Sequence, residues 1–183
     1  MSILGLDIST SCTGYSIIGL DGNLIEQGYI RFKQSQDIFS RAIEVKDCIL
    51  EKHSIHNFSN IFIEQNLQAF RSGFSSAKTL VSLARFNGMV SFSAHEVTGL
   101  NPEFLNVNSA RKTVGLKIIK SSATTKEQVL EWARKDLNGT GFQWPLKTLK
   151  SGPRKGQTID DPACFDISDA YVIAKAGFYT LSS

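Results

Sequence analysis

The stretch ILGLDISTSCTGYSII, from Ile3 to Ile18, decides how the rest of the chain is read. ILGL is a short apolar run that ends in an acid, Asp7, the pattern of a strand buried on both faces. TGYSIIGL, residues 13–20, reads as a second strand, and Asp21-Gly22-Asn23 supplies a hairpin turn before LIEQGYIRF, residues 24–32. These three strands predict an antiparallel meander. Beyond them, Ile38, Ala42, Ile43, Val45, Ile49 and Leu50 recur at helical spacing over about 37–53. IFIE, residues 61–64, is another short buried strand ending in an acid, Glu64. A second helix is expected over about 75–95, with Ala77, Leu80, Val81, Ala84 and Val90 on its inner side. A fifth strand is expected over 104–107, and further helices over 125–137 and about 165–180. The order βββαβαβα, with extra helical turns before the last helix, predicts an α/β fold. It would be one five-stranded mixed sheet, three antiparallel strands and then a strand–helix alternation, with helices on both faces.

The 183 residues suffice for one sizeable domain, expected to span 1–183, and are too few for two ordinary ones. Hydrophobic residues at 42%, charged residues at 20% and a mean hydropathy of -0.09 exclude a disordered, collagen-like or coiled-coil chain. No apolar run approaches the ~18 residues of a membrane span, and MSILGLDIST lacks the basic leader of a signal peptide. The expectation is a cytoplasmic protein of a bacterial or phage-infected cell, with no membrane partner. Cys12, Cys48 and Cys164 form no CxxC pair, and His53, His56 and His95 have no zinc spacing, so free thiols in a reducing compartment are expected.

The formal charge of +3 is unevenly spread. Residues 1–100 carry a net -1, residues 101–160 a net +6 and residues 161–183 a net -2. Clustered Lys and Arg gain affinity for nucleic acid by releasing counterions, so the basic third suggests phosphate contacts. A solvated helical face is the plainer alternative. Within it, residues 138–162 are rich in Gly and Pro, lack apolar periodicity, and carry Lys147, Lys150, Arg154 and Lys155 with no acid before Asp160. They read as a long basic surface loop, a feature that is usually functional or disordered.

The acids carry the chemistry. Asp7 and Glu64 each end an apolar strand, where a carboxylate is costly unless paired or metal-bound. Asp166 and Asp169 are three apart at the start of the last helix and so share a face. Singly, Asp7 reads as a turn residue with Ser9 and Thr10, Glu64 as a solubilising strand end, and the aspartate pair as a helix cap. Adjacent central strands would bring Asp7 to Glu64, with the last helix carrying both aspartates across the sheet end. Four carboxylates with no Cys or His among them favour Mg2+ or Mn2+. Two such ions ~4 Å apart can clamp the attacking water and the leaving oxygen of a phosphodiester.

ILGLDISTSCTGYSII, IFIEQ and FDISDAYVIAKA, in this order, resemble the three acidic motifs of the RuvC-type Holliday-junction resolvases. The resemblance spans essentially the whole chain and implies the RNase H-like (retroviral integrase) fold. It implies that Asp7, Glu64, Asp166 and Asp169 are catalytic and hold two Mg2+ ions, with Mn2+ as a substitute. It further implies paired nicking of four-way DNA junctions by a homodimer, in recombination, repair or replication-intermediate processing. The helix over 75–95 is the candidate dimer seam. Lys112, in ARKTVG beside Arg111, and Lys126, in TTKEQV, match the family's phosphate-contacting lysines. With Lys147, Lys150, Arg154 and Lys155 they complete the candidate DNA contacts. The chain departs from the pattern at Ile8-Ser9, where bacterial members have Pro-Gly. It also departs in NLQAFRSGF, where Phe70 and Phe74 are candidates for the junction-wedging aromatic, and in the long 138–162 segment. These departures bear on DNA selectivity more than on cleavage chemistry, and would suit a phage-encoded or organellar member as well as a bacterial one.

Three other readings remain. LGLDISTSCTGYSII is also similar to the phosphate-binding turn of actin/sugar-kinase-type ATPases, although those proteins need two such domains around the nucleotide. A broader fork or flap nuclease of the same fold is a second alternative. A non-catalytic junction-binding module is a third, disfavoured because all four acids are present.

Overall fold

The computed structural model of the protein describes residues 1–65, 77–120 and 123–182. The chain opens with β1 (Ser2–Ile8), β2 (Cys12–Gly19) and β3 (Leu24–Arg31), followed by α1 (Ile38–His56), β4 (Phe58–Glu64) and α2 (Ala77–Thr98). Then come β5 (Glu103–Leu105), α3 (Val107–Thr113), α4 (Thr125–Asp136), β6 (Leu146–Thr148), β7 (Thr158–Asp160) and α5 (Ala163–Leu181). Among the described residues, five strands form one sheet in the order β3-β2-β1-β4-β5. The β1–β2 and β2–β3 pairs are antiparallel, and the β1–β4 and β4–β5 pairs are parallel. This is the mixed sheet expected from the sequence, with β1 at its centre.

Alternation along β1 divides the core in two. Leu4, Leu6 and Ile8 join Ile61 and Ile63 against Ala42, Val45 and Ile49 of α1 and Phe86, Val90 and Ala94 of α2. On the opposite face, Ile3, Ile18 and Phe62 pack with α3, α4 and α5. A period of two explains this, because neighbours along a buried strand face opposite layers. Gly5 and Gly14 let α5 lie flat on the second face. A Cβ on Gly5 would stand 2.5 Å from the Ala174 nitrogen, and one on Gly14 would stand 2.1 Å from the Asp166 carbonyl oxygen. The helix therefore begins at the end of β1 that carries Asp7 and runs back across the sheet.

Three sequence expectations are corrected. On α2 the inner side is Phe86, Asn87, Val90 and Ala94; of the expected set only Val90 is buried, while Ala77, Val81 and Ala84 are exposed and Leu80 is half-buried. Among the described residues, the first turns of α2 lie outside the packed core, which α2 joins from Phe86 onward. The fifth strand is shorter than expected, because the Asn106 side chain accepts from the Asn108 and Ser109 amides and starts α3 at Val107. Residues 138–162 are not an unstructured loop, since β6 and β7 pair within them as an antiparallel hairpin. Alternation over three residues is too short to register as a strand in the sequence. Among the described residues, no helix is long and apolar enough to cross a membrane, and Cys12, Cys48 and Cys164 are free thiols.

Candidate active site

Strand register places the first two acids side by side. Leu6 pairs with Ile63 in the parallel β1–β4 ladder, so the next residues, Asp7 and Glu64, end neighbouring strands. Both continue the alternation of Gly5 and Phe62, and so stand on the face covered by α5. Asp7 is also paired with Gly14 on β2, the residue pressed against the Asp166 carbonyl. That contact sets the first turns of α5 over the strand ends. Asp169 is 6% exposed; Asp7, Glu64 and Asp166 are half-buried. The end of β4 is held by the Gln65 amide on the Leu105 carbonyl at 2.8 Å and by the buried Asn87 amide on the Glu64 carbonyl at 3.4 Å.

Asp7 feels the charge of all three other acids. Burial, then the charges of Glu64, Asp169 and Asp166, raises the Asp7 carboxyl well above the usual carboxylate range. Burial and the charge of Asp169 push Glu64 up to about 7. Burial raises Asp166 and Asp169 as well, against lowering contributions from the Cys12 thiol at Asp166 and from Arg111 at Asp169. Mutual repulsion of this kind is what a cation would relieve.

Two cations from the protein face the cluster. Lys126, on the first turn of α4, lowers all four acids, and its ammonium lies 5.9 Å from the centre of the Phe165 ring. Arg111, on α3, donates from Nη2 to Asp169 Oδ1 at 3.2 Å, both side chains being mostly buried. Its Nε is buried and has no acceptor among the described residues.

An oxygen-only donor set of this charge fits a hard divalent ion such as Mg2+ or Mn2+. Among the described residues, however, no three acid, histidine or cysteine side chains converge on one ligating point. Asp169 is turned to Arg111, and the Cys12 thiol favours the charged form of Asp166. The acids are gathered in one place, with Asp169 held by Arg111.

Of the other residues expected at the site, Lys112 is exposed on the rim of a groove of about 240 Å³ that Arg111 and Lys117 also line. Lys147, Lys150, Arg154 and Lys155 are exposed in or beside the β6–β7 hairpin. Phe70 and Phe74 lie outside the described residues. The sequence reading missed Asn87, Cys12 and the closeness of Gly14 to α5. A glycine inside an apolar strand is a signal of close backbone approach, and it was available for the last of these.

No family model matches the sequence, and no curated protein does. Solved structures do match in shape. RuvC of Thermus thermophilus in complex with a Holliday junction substrate superposes with a TM-score of 0.66 at 16% identity, covering 100% of this chain and 96% of that one. A second T. thermophilus RuvC structure gives 0.63 at 17%, covering 100% and 96%. The yeast mitochondrial Holliday junction resolvase gives 0.57 at 13%, covering 98% and 78%. The chain is thus similar along its length to RuvC-type resolvases, and it has the RNase H-like fold.

Proposed function

We propose that the protein is a divalent-metal-dependent DNA endonuclease that resolves four-way junctions by paired nicking. The observation that carries this reading is the collection of Asp7, Glu64, Asp166 and Asp169, from three separate elements, at one end of an RNase H-like sheet. The superposition on a RuvC bound to a Holliday junction substrate supports the choice of substrate.

Hydrolysis requires a water oxygen to attack phosphorus while the bond to the 3′ oxygen breaks, leaving 5′-phosphate and 3′-hydroxyl ends. Two Mg2+ ions, held by Asp7, Glu64, Asp166 and Asp169, would supply water activation and stabilise the leaving oxygen. The protein's own side chains do the rest. Asp7 is central, beside Glu64 in the sheet and beneath α5. Lys126 faces the acids and offsets the charge of the phosphate, which grows most crowded at the pentavalent stage. Arg111 holds Asp169 in place beside the other acids.

Two active sites cutting opposed strands require a homodimer. The exposed apolar residues of α2, Val81 at 57% and Phe92 at 66% exposure, make that helix the seam in this reading.

Incubating the protein with linear duplex, fork and four-way junction DNA, with and without Mg2+, tests the reading. Symmetric paired nicks on the junction alone, in Mg2+ alone, are expected. Equal cutting of linear duplex would overturn junction selectivity, and cutting in chelator would overturn metal dependence.

A further inference from the structure

The β6–β7 hairpin contributes almost nothing to the core. All three residues of β6 are exposed, as are Thr158 and Asp160 of β7. A two-stranded hairpin with both faces in water is marginally stable by itself, and Lys147, Lys150, Arg154 and Lys155 repel one another along it. Its order comes from its two ends. Beyond the ladder, the Leu149 amide donates to the Gln157 carbonyl at 3.0 Å and the Gly156 amide to the Leu149 carbonyl at 2.8 Å. At the tip, Arg154 Nε donates to Gln157 Oε1 at 2.8 Å.

At the root, the Asp161 amide donates to the Pro145 carbonyl at 2.9 Å, closing the hairpin. Two arginines then pin it to the body of the protein. Arg134 of α4 donates to Asp160 at 2.8 Å and lies 5.4 Å from the centre of the Trp144 ring. Arg31 of β3 forks onto both oxygens of Asp161, which is 5% exposed and also accepts from the Ala163 amide at 2.8 Å. Asp161 leads directly into α5. Asp166 follows five residues later, roughly 8 Å along the chain at helical rise, and feels the charge of Arg31. The hairpin is therefore a held arm rooted beside the acid cluster.

From root to tip the arm is about 20 Å long at ~3.3 Å per residue. Duplex DNA carries one charge per ~1.7 Å of axis, so about twelve phosphate charges fall within that reach. A solvent-facing ribbon that is basic along its length, with its acids Asp160 and Asp161 paired to arginines at the root, matches a polyanion and contributes almost nothing to packing. We propose that this hairpin grips the phosphate backbone of a duplex arm flanking the cleavage point, which rests on the nuclease reading above. The contact is to phosphates, so it holds the arm without reading its sequence.

The test is equilibrium binding in chelator, where no cutting occurs, of wild type and the triple variant Lys150→Gln, Arg154→Gln, Lys155→Gln. Two probes are used, a four-way junction with long arms and one with arms truncated to the crossover. With long arms, the variant should bind about 10- to 100-fold more weakly, and its log K against log salt slope should be shallower by roughly 2 to 3. With truncated arms, variant and wild type should bind alike. A variant slope equal to wild type on long arms overturns the inference, as does an equal loss on truncated arms. A wild type that binds linear duplex as tightly as the junction defeats the junction reading alone, and the hairpin slope is then read on the duplex. A wild type that binds no DNA defeats both.

Discussion

At the acid end of the sheet, Asp7, Glu64, Asp166 and Asp169 crowd a half-buried space, and every one of them is pushed toward its protonated form. A few residues upstream, the β6–β7 hairpin spreads four cations into water, where each keeps its own hydration. The first region is charged at a cost to the fold, and the second at almost none. Buried like charges must be held by rigid neighbours, which the central strands and α5 supply. Exposed like charges need only a fixed root, which Arg31 and Arg134 supply. Substitutions should therefore act on opposite observables in the two regions.

The largest effect belongs to Asp7. Asp7→Asn should lower the cutting of four-way junctions by about 10³-fold or more while leaving junction binding in place, and undiminished nicking would sink the assignment. Next is Arg111→Ala, which leaves Asp169 buried without its partner. Urea denaturation of the metal-free protein should show a loss of about 3 kcal/mol. Gly14→Ala puts a methyl against the Asp166 carbonyl. It should cost about 2–3 kcal/mol in the same assay, and a wild-type midpoint would show that α5 is not seated as described.

The pH dependence is smaller. Glu64 keeps its proton up to about 7 in the folded chain, against an ordinary 4.5. Between those values the unfolded chain releases a proton that the folded chain retains, so metal-free stability should fall as pH rises from about 4.5 to about 7. Allowing for solvent screening, the loss from this group is on the order of 1–2 kcal/mol. Glu64→Gln should make the melting temperature less steep across that window; an unaltered slope would show that the group is not perturbed. The smallest effect on stability is in the hairpin. The triple variant at Lys150, Arg154 and Lys155 should melt within ~0.5 kcal/mol of wild type, and a larger loss would mean that the arm is part of the core.

The meander, β4 and the acid-bearing strand ends were legible because long buried strands write their period into the sequence. Asp7 and Glu64 stood out as charges closing apolar runs. The aspartates of α5 were legible by spacing. What stayed hidden depends on tertiary placement. Nothing local says that α2 packs from Phe86 onward, since Val81 and Ala84 fit the same helical period. Three-residue strands such as β5 and β6 carry too little pattern to separate from loop. Arg111 and Lys112 are adjacent and chemically alike; only the seating of α3 against α5 decides which of them reaches Asp169.

The spread of the acids along the chain also orders events in time. Asp7 and Glu64 emerge early during synthesis, and their strands can pair once residues up to 64 are free. Asp166 and Asp169 arrive some hundred residues later, on a helix that must still dock across Gly5 and Gly14. Contacts this distant in sequence carry a loop-closure cost that slows folding. A growing chain thus carries half of the acid cluster until about a hundred more residues have followed, and on the nuclease reading proposed above it would cut no DNA until α5 is in place.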